Sequence, residues 1–202
     1  MKPQRISAVA VANALPETII IAQTGKVLDL GADGSFTDFV RIPQRCLHRV
    51  PDNISFDHAT LTEPACVVYN ALIQMSRIIS GKPLLIIGPG PVGLFSLQIA
   101  LLAGANPIIV AGTSIDTVRF GVAEELGADL IINVGKEDAG KKINEITKGE
   151  CCHLVVDATG NKKALKLAVD TVARMGQITK IGWGPKPIDF SLDPIISKGA
   201  RI

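Results

Sequence analysis

Short apolar runs and amphipathic segments alternate along most of this chain. The apolar runs predict strands at Leu84–Ile87, Pro107–Ala111, Leu130–Val134, His153–Ala158 and Gln177–Trp183. The segments between them predict helices over Val92–Ala103, Asp116–Leu126, Asp138–Thr147 and Lys162–Met175. In the second of these helices, Val118, Val122 and Leu126 form one apolar stripe. Regular alternation of strand and helix predicts a doubly wound α/β fold, a parallel sheet with helices on both faces.

The first fifty residues follow a different pattern. Short strand candidates lie close together there, at Thr18–Ala22, Lys26–Leu30, Phe36–Ile42 and Cys46–Val50. The turn Pro51–Asn53 separates them from the helical pattern that begins at Ser55. We therefore predict a β-rich domain over residues 1–52 and an α/β domain over residues 53–202.

One stretch of the chain, from Pro83 to Ile115, contains no charged residue. A membrane-spanning helix needs about 20 apolar residues, so the stretch is long enough to cross a bilayer. However, Gly88, Pro89, Gly90 and Pro91 interrupt it, which predicts a strand, a loop, a helix and another strand. No membrane span and no signal peptide are predicted.

Composition narrows the class of protein further. The 21 Lys and Arg nearly balance the 19 Asp and Glu, and a net charge of +2 argues against a nucleic-acid-binding protein. A hydrophobic fraction of 47% with 20% charged residues argues against disorder. Because the 4 cysteines form no C-x-x-C pair, we predict reduced thiols in a cytoplasmic protein.

The loop after the first strand of the α/β domain has the sequence Gly-Pro-Gly-Pro-Val-Gly, which matches G-x-G-x-x-G between a strand and a helix. The first glycine permits a tight turn, the second lets a pyrophosphate approach the backbone, and the third lets helix and strand pack closely. The helix N-terminus offers free N–H groups to phosphate. The predicted dinucleotide-binding residues here are Gly88, Gly90, Pro91, Val92 and Gly93.

The end of the second strand bears on the choice between NAD and NADP. NAD-binding proteins usually carry Asp or Glu there, whereas this chain has Gly112, Thr113 and Ser114. Without that carboxylate, Thr113, Ser114 and Arg119 are candidates for contacting a 2′-phosphate, which slightly favours NADP. The alternative is that Asp116, which we expect to open the next helix, or backbone groups serve NAD.

Ligands of such sheets bind beyond the carboxyl ends of the strands, so two later segments are also predicted to face the cofactor. They comprise Ala158, Thr159 and Gly160 after the fourth strand, and Ile181, Gly182 and Trp183 after the fifth. The alternative for Trp183 is packing at a domain or subunit contact.

Several motifs together resemble one family, the zinc-type medium-chain alcohol and polyol dehydrogenases such as sorbitol and threonine dehydrogenase. They are the glycine motif, Gly34–Val40, Pro51–Ser55, Thr62–Pro64, Leu126–Asp129 and Asp157–Gly160. The resemblance implies a GroES-like domain joined to a Rossmann domain that binds NAD or NADP. It also implies oxidation of a secondary alcohol or polyol by hydride transfer to nicotinamide. Pairing of identical subunits through residues near Ile188–Leu192 is a further implication.

The chain departs from this family at the zinc site. The family's early zinc-binding Cys and its Gly-His-Glu segment have no counterpart, and only Glu63 matches a position at or near the metal. The alternative for Glu63 is a carboxylate that stabilises a helix start. A catalytic zinc needs about three protein ligands. We therefore expect zinc and a small alcohol substrate only in a full-length enzyme, of which this chain resembles an internal piece that is inactive alone.

Two other interpretations remain open from the sequence. One is a non-catalytic NAD(P)-binding module or truncated remnant, which the missing zinc ligands favour. The other is a zinc-independent relative similar to quinone reductases, against which the Glu63-Pro64 pair argues.

Overall fold

The computed structural model describes Asp38, residues 47–183 and residues 200–202. The chain divides between Cys66 and Val67 into two compact units. Residues 47–50 lie in no strand, so the strand predicted over Cys46–Val50 is wrong in its described part. Apart from Asp38, the earlier strand predictions lie outside the described residues, and the predicted domain boundary stays a prediction.

The elements of the described residues alternate as the sequence predicts. The helices are α1 (Phe56–Ala59), α2 (Thr62–Tyr69), α3 (Pro91–Leu102), α4 (Thr117–Glu125), α5 (Ala139–Ile146) and α6 (Lys162–Thr171). A π-helical segment, Asn70–Gln74, follows α2, and a 3-10 turn, Ser114–Asp116, precedes α4. The strands are β1 (Leu84–Ile87), β2 (Ile108–Gly112), β3 (Leu130–Asn133), β4 (Cys152–Asp157) and β5 (Val172–Lys180).

The strands form one parallel sheet in the order β3-β2-β1-β4-β5. Successive residues of β1 belong to two separate hydrophobic clusters, one on each face. Leu85 packs with residues of α5 and α6, whereas Ile86 packs with residues of α3 and α4. This burial on both faces explains the unbroken apolar runs and confirms the doubly wound fold. Within the described residues, no helix is long and apolar enough to span a membrane.

The end of α6 differs from the prediction. The helix ends at Thr171, and β5 already begins at Val172, which pairs with Cys152 of β4. The register then shifts, and Met175 has a left-handed backbone at φ +58°. Val172 is fully buried and β-branched, so its pairing with β4 overrides the helical pattern that the sequence suggested to Met175.

Two of the three residues in the predicted apolar stripe of α4 face away from the core. Val118 is 83% exposed and Val122 is 38% exposed, while Ala123 is the buried residue of this helix. The small Ala123 side chain lets the helix backbone come close to the sheet, and that orientation turns the two valines outward. Leu126, the third residue of the stripe, caps the end of the helix and is partly buried against the cluster that contains Ile86, so only this end of the stripe contacts the core.

A further segment extends the sheet past β5. Arg201 lies parallel to Gln177, donates its N–H to the Gly176 carbonyl at 2.9 Å and accepts from the Ile178 N–H at 2.7 Å. Arg201 thus forms a single parallel bridge along the outer edge of β5.

Candidate functional site

The predicted dinucleotide-binding residues gather at the carboxyl edge of the sheet. The strands β2, β1, β4 and β5 are neighbours in that order, and each predicted segment follows one of them or, in the case of Arg119, lies on the helix after it. We call the space at this edge the glycine crevice, because Gly88, Gly90, Gly112, Gly160 and Gly182 line the chain turns around it.

The turn after β1 requires its glycines for different reasons. Gly88 has φ +98°, and a Cβ there would lie 2.5 Å from Thr159 Cγ2. A Cβ on Gly93 would lie 1.9 Å from the Gly88 carbonyl oxygen, so the backbone of α3 packs too closely against the turn for any side chain at this position. Gly90 differs, because it has φ −74° and no atom within 4 Å of an added Cβ. Open space therefore lies beside Gly90, directly before the first turn of α3.

The chain after β4 and the chain after β5 touch through their backbones. A Cβ on Gly160 would lie 1.9 Å from the Trp183 carbonyl oxygen, and a Cβ on Gly182 would lie 2.2 Å from the Gly160 nitrogen. This contact brings Thr159, Gly160 and Gly182 together on the β4 side of Gly88. The Trp183 side chain is 90% exposed, and its role stays a prediction.

A buried carboxylate, Asp157, holds these two turns, although sequence analysis did not single it out. Its Oδ1 accepts hydrogen bonds from the Thr159 N–H at 2.9 Å, the Thr159 hydroxyl at 2.8 Å and the Gly160 N–H at 3.3 Å. Its main-chain carbonyl accepts from the N–H groups of Ile181 and Gly182, each at 2.9 Å. An Asp that accepts from the N–H two residues on forms an Asx turn, so the Asp-x-Thr-Gly spacing was a readable signal.

On the other side of the crevice, after β2, the Asp116 carboxylate accepts hydrogen bonds from Thr113, three residues earlier. Asp116 is 8% exposed, and its Oδ2 accepts from the Thr113 N–H at 3.0 Å and the Thr113 hydroxyl at 3.2 Å. Its Oδ1 accepts from Arg119 Nη1 at 3.0 Å. Burial raises the pKa of Asp116, but these hydrogen bonds and the Arg119 charge outweigh it and leave the pKa below its ordinary value. As predicted, Asp116 also precedes α4 as its N-cap.

An aromatic residue that the sequence did not flag shapes the same side. A Cβ on Gly112 would lie 2.8 Å from the Phe120 ring and 2.9 Å from Pro89 Cδ. Phe120 is therefore packed against the end of β2 and the glycine turn, which makes that wall of the crevice apolar. A lone Phe in an amphipathic helix carries no sequence signal for this contact.

The described residues do not fit a catalytic zinc. No group of three or more His, Cys, Asp or Glu side chains comes together in the described part of the chain. Glu63 lies in the first turn of α2, where the helix dipole favours a carboxylate. Its role at a metal stays a prediction.

The depressed pKa of Asp116 leads to a stability prediction. Replacing Asp116 with Asn removes the turn's anionic acceptor and should lower the free energy of unfolding at pH 7 by about 1 kcal/mol. Because the folded-state pKa lies below the model-peptide value of 3.8, the wild-type advantage is full above about pH 5 and disappears as pH falls through the folded pKa. Urea unfolding of the wild type and of Asp116→Asn from pH 7 to pH 3 measures this difference in stability. Glu145→Gln, at an exposed position, is the control. An advantage that does not change over this range contradicts the assignment.

Comparison with known proteins gives consistent results. The profile of the family described as zinc-binding dehydrogenase matches residues 91–202. A zinc-type alcohol dehydrogenase-like protein of Escherichia coli is 35% identical over 159 residues, which cover 78% of this chain and 44% of that protein. D-arabitol-phosphate dehydrogenase of Enterococcus avium is 34% identical over 167 residues, covering 82% of this chain and 47% of the relative.

Among solved structures, the alcohol dehydrogenase TADH from Thermus sp. ATN1 superposes with a TM-score of 0.70 at 29% identity. The match covers 77% of this chain and 44% of that one. The chain thus spans about half the length of the curated relatives it matches.

Proposed function

Because this chain belongs to the zinc-binding dehydrogenase family, we propose that its glycine crevice binds a nicotinamide dinucleotide. The proposed activity of the whole enzyme is hydride transfer between a secondary alcohol or polyol and the nicotinamide ring, with this chain as the cofactor-binding part. The similarity to an arabitol-phosphate dehydrogenase supports a polyol-like substrate. The bound cofactor supplies the hydride chemistry, and the protein supplies binding and orientation.

The pyrophosphate position is the part of the proposal with the most direct support. The open space beside Gly90 adjoins the first turn of α3, whose N–H groups have no intrahelical partner. Pro91 at the start of that helix lacks an N–H and leaves the following ones to face the phosphates. The partial positive charge of the helix N-terminus stabilises them further. The single observation that carries the proposal is the open space beside Gly90, which lies between the closely packed Gly88 and Gly93.

The strand order supports a proposed position for each end of the dinucleotide. Strands β1 to β3 are added towards one side of the sheet, and β4 and β5 are added on the other side of β1. Ligands of such sheets bind beyond the carboxyl ends of the strands at this point of reversal, between β1 and β4. We place the adenosine half on the β2 side, against Gly112, Thr113 and Ser114. The nicotinamide half then lies on the β4 side, against Ala158, Thr159 and the Ile181–Trp183 segment. Asp157 acts there as a positioning residue, because it holds the Thr159–Gly160 turn through three hydrogen bonds.

Fluorescence titration tests the proposal. The 202-residue chain is titrated with NADH and, separately, with NADPH, and we expect saturable binding of at least one of them. Failure of both to bind contradicts the proposed site. We also expect no oxidation of sorbitol by this chain alone, so NADH formation in that assay contradicts the view that it supplies only the cofactor part.

The contacts of Asp116 bear on the preference between NAD and NADP. The sequence slightly favoured NADP because no carboxylate follows β2 directly, and it offered Thr113 and Arg119 to a 2′-phosphate. Both of these residues hydrogen-bond the Asp116 carboxylate instead, and the Arg119 charge is paired with it. A 2′-phosphate near this carboxylate meets repulsion and an already neutralised cation, so we propose that NAD is preferred.

A charge substitution tests this preference. Replacing Asp116 with Asn removes the negative charge and frees Arg119, so the affinity for NADPH relative to NADH should rise about tenfold. Titration of both cofactors against wild type and Asp116→Asn measures the ratio. Glu124→Gln makes the same charge change at an exposed position of the same helix and should leave the ratio unaltered. An equal effect of both substitutions contradicts a local role for Asp116.

Two further expectations stay predictions. Pairing of identical subunits was expected near Ile188–Leu192, which lies outside the described residues. A cytoplasmic location was expected from cysteine usage, and no structural observation bears on the compartment.

A further inference from the structure

A cavity of about 410 Å³ lies at the amino-terminal edge of the sheet, opposite the glycine crevice. It is bounded by the segments that lead into β1 and β4 and by the first residues of β5. Its charged and polar lining comprises Lys82, Glu150, Cys151, His153 and Arg174. We propose that this basal cavity binds a small phosphorylated metabolite through its phosphate group.

The charges of the cavity favour an anion. Lys82 and Arg174 contribute two cations, and Glu150 is the one carboxylate among the described lining residues. Glu150 accepts a hydrogen bond from Lys82 Nζ at 3.2 Å, but the two side chains are 65% and 50% exposed. Such an exposed ion pair contributes little to stability. A phosphate can therefore replace Glu150 as the partner of Lys82 without breaking a buried contact.

The size of the cavity favours a molecule larger than a bare ion. Small-molecule sites typically enclose about 300–1,000 Å³, and this cavity lies within that range. Its lining also includes the apolar groups Pro83, Val172 and Ala173, which can cover the carbon part of a phosphate ester. The arrangement combines two cations with an apolar wall, as expected for a phosphate ester of a few carbons.

The lining groups are held in place by the backbone. The His153 N–H donates to the Pro83 carbonyl at 2.9 Å, which ties the start of β4 to the start of β1. The Cys151 N–H donates to the Thr147 hydroxyl at 3.1 Å, and Thr147 is buried. The loop between α5 and β4 thus presents Glu150 and Cys151, and the start of β4 presents His153, from fixed positions.

His153 makes the proposed binding sensitive to pH. Partial burial lowers the pKa of its imidazole, and the charges of Arg77 and Lys82 lower it further. The other charged or titratable groups around it are Glu150, Cys151 and Arg174. A phosphate bound among these cations offsets their repulsion and lets His153 take up a proton. Because the pKa of His153 lies below its ordinary value of 6.5, affinity for a phosphate of fixed charge should increase as pH falls through the acidic range in which this imidazole takes up its proton.

This cavity is separate from the proposed cofactor site. The strands between the two edges are four to six residues long, so the sites lie roughly 13–20 Å apart. An occupant of the basal cavity leaves the glycine crevice accessible, and the two ligands should bind at the same time.

Imidazole NMR of the full chain tests the proposal. Inorganic phosphate and glycerol 3-phosphate are titrated in turn at constant ionic strength, with chloride as the control anion, and the His153→Gln variant assigns the signal. We expect saturable binding that raises the pKa of His153, and the imidazole signals of His48 and His58 should not respond to phosphate. Tighter binding of glycerol 3-phosphate supports an ester as the ligand, whereas equal binding of the two overturns that part. No saturable effect on His153 overturns the whole proposal.

Charge variants separate the basal cavity from other phosphate sites. Arg174→Gln, at an exposed position, and Lys82→Gln should each weaken phosphate binding about tenfold, while Lys141→Gln, an exposed lysine of α5, should not. NADH affinity should be the same in all of these variants, so failure of NADH to bind bears only on the cofactor proposal. Displacement of phosphate by NADH assigns it to the glycine crevice and overturns the basal site.

Discussion

Replacing Gly90 with Ala should weaken NADH binding at least about tenfold while the protein keeps its wild-type stability. The added methyl group meets no protein atom within 4 Å, and φ −74° suits alanine. It does enter the space through which we propose that the pyrophosphate reaches the backbone, and crowding a close contact by one methyl costs roughly 1–3 kcal/mol. Fluorescence titration with NADH and thermal unfolding measure the two effects on the same protein.

A matched substitution shows whether the effect is local. Gly121→Ala adds the same methyl group on α4, again with no atom within 4 Å, and should leave NADH affinity unchanged. Unaltered NADH binding in Gly90→Ala contradicts the assignment of the pyrophosphate to this turn. A loss of stability in Gly90→Ala instead contradicts the statement that the space beside Gly90 is free of protein.

The largest loss of stability is expected for Gly160→Ala. Its φ of +68° is unfavourable for an L side chain, and the new Cβ would lie 1.9 Å from the Trp183 carbonyl oxygen. That neighbour is backbone and cannot move aside as a side-chain tip can, so the turns after β4 and β5 must separate. We expect a loss of about 3 kcal/mol or more in the free energy of unfolding, measured by urea denaturation.

Gly81→Ala is the control for the backbone conformation alone. Gly81 has a similar φ of +74°, but nothing lies within 4 Å of an added Cβ. This substitution should lower the free energy of unfolding only by the cost of placing an L side chain in the left-handed conformation, about 1–2 kcal/mol. If the two variants lose the same stability, the close contact between Gly160 and Trp183 has no energetic effect. NADH affinity should also fall in Gly160→Ala, because the Thr159 turn moves with it.

Much of the fold was predictable from local pattern. The run Leu84–Ile87 matches β1 residue for residue, because a strand buried on both faces tolerates no polar side chain. The Gly-Pro-Gly-Pro-Val-Gly loop was recognisable because a tight turn, an open approach and a close helix crossing each require glycine. The end of α6 was not predictable, since the pairing of Val172 with Cys152 depends on a strand that lies twenty residues earlier in the chain.

The candidate site divides in the same way. The positions of Gly88, Gly90, Thr159 and Gly182 around one edge could be predicted, because parallel strands bring their carboxyl ends together. The partners of Asp116 could not, since they depend on a single 3-10 turn that folds its carboxylate back onto Thr113 and Arg119. Because of that turn, Thr113 and Arg119, which the sequence offered to a 2′-phosphate, are bonded to Asp116.

By itself, the sequence determined the family, the doubly wound α/β architecture and the glycine turn, because each depends on residue types at short, regular spacing. The tertiary structure alone decided which carboxylates hold the crevice, namely Asp157 and Asp116, and which helix face of α4 is buried. It also brought Lys82, His153 and Arg174 to one cavity from three segments far apart in the chain. The physical reason is that charge pairing and cavity formation act between side chains that are close in space, and spacing along the chain does not record that proximity.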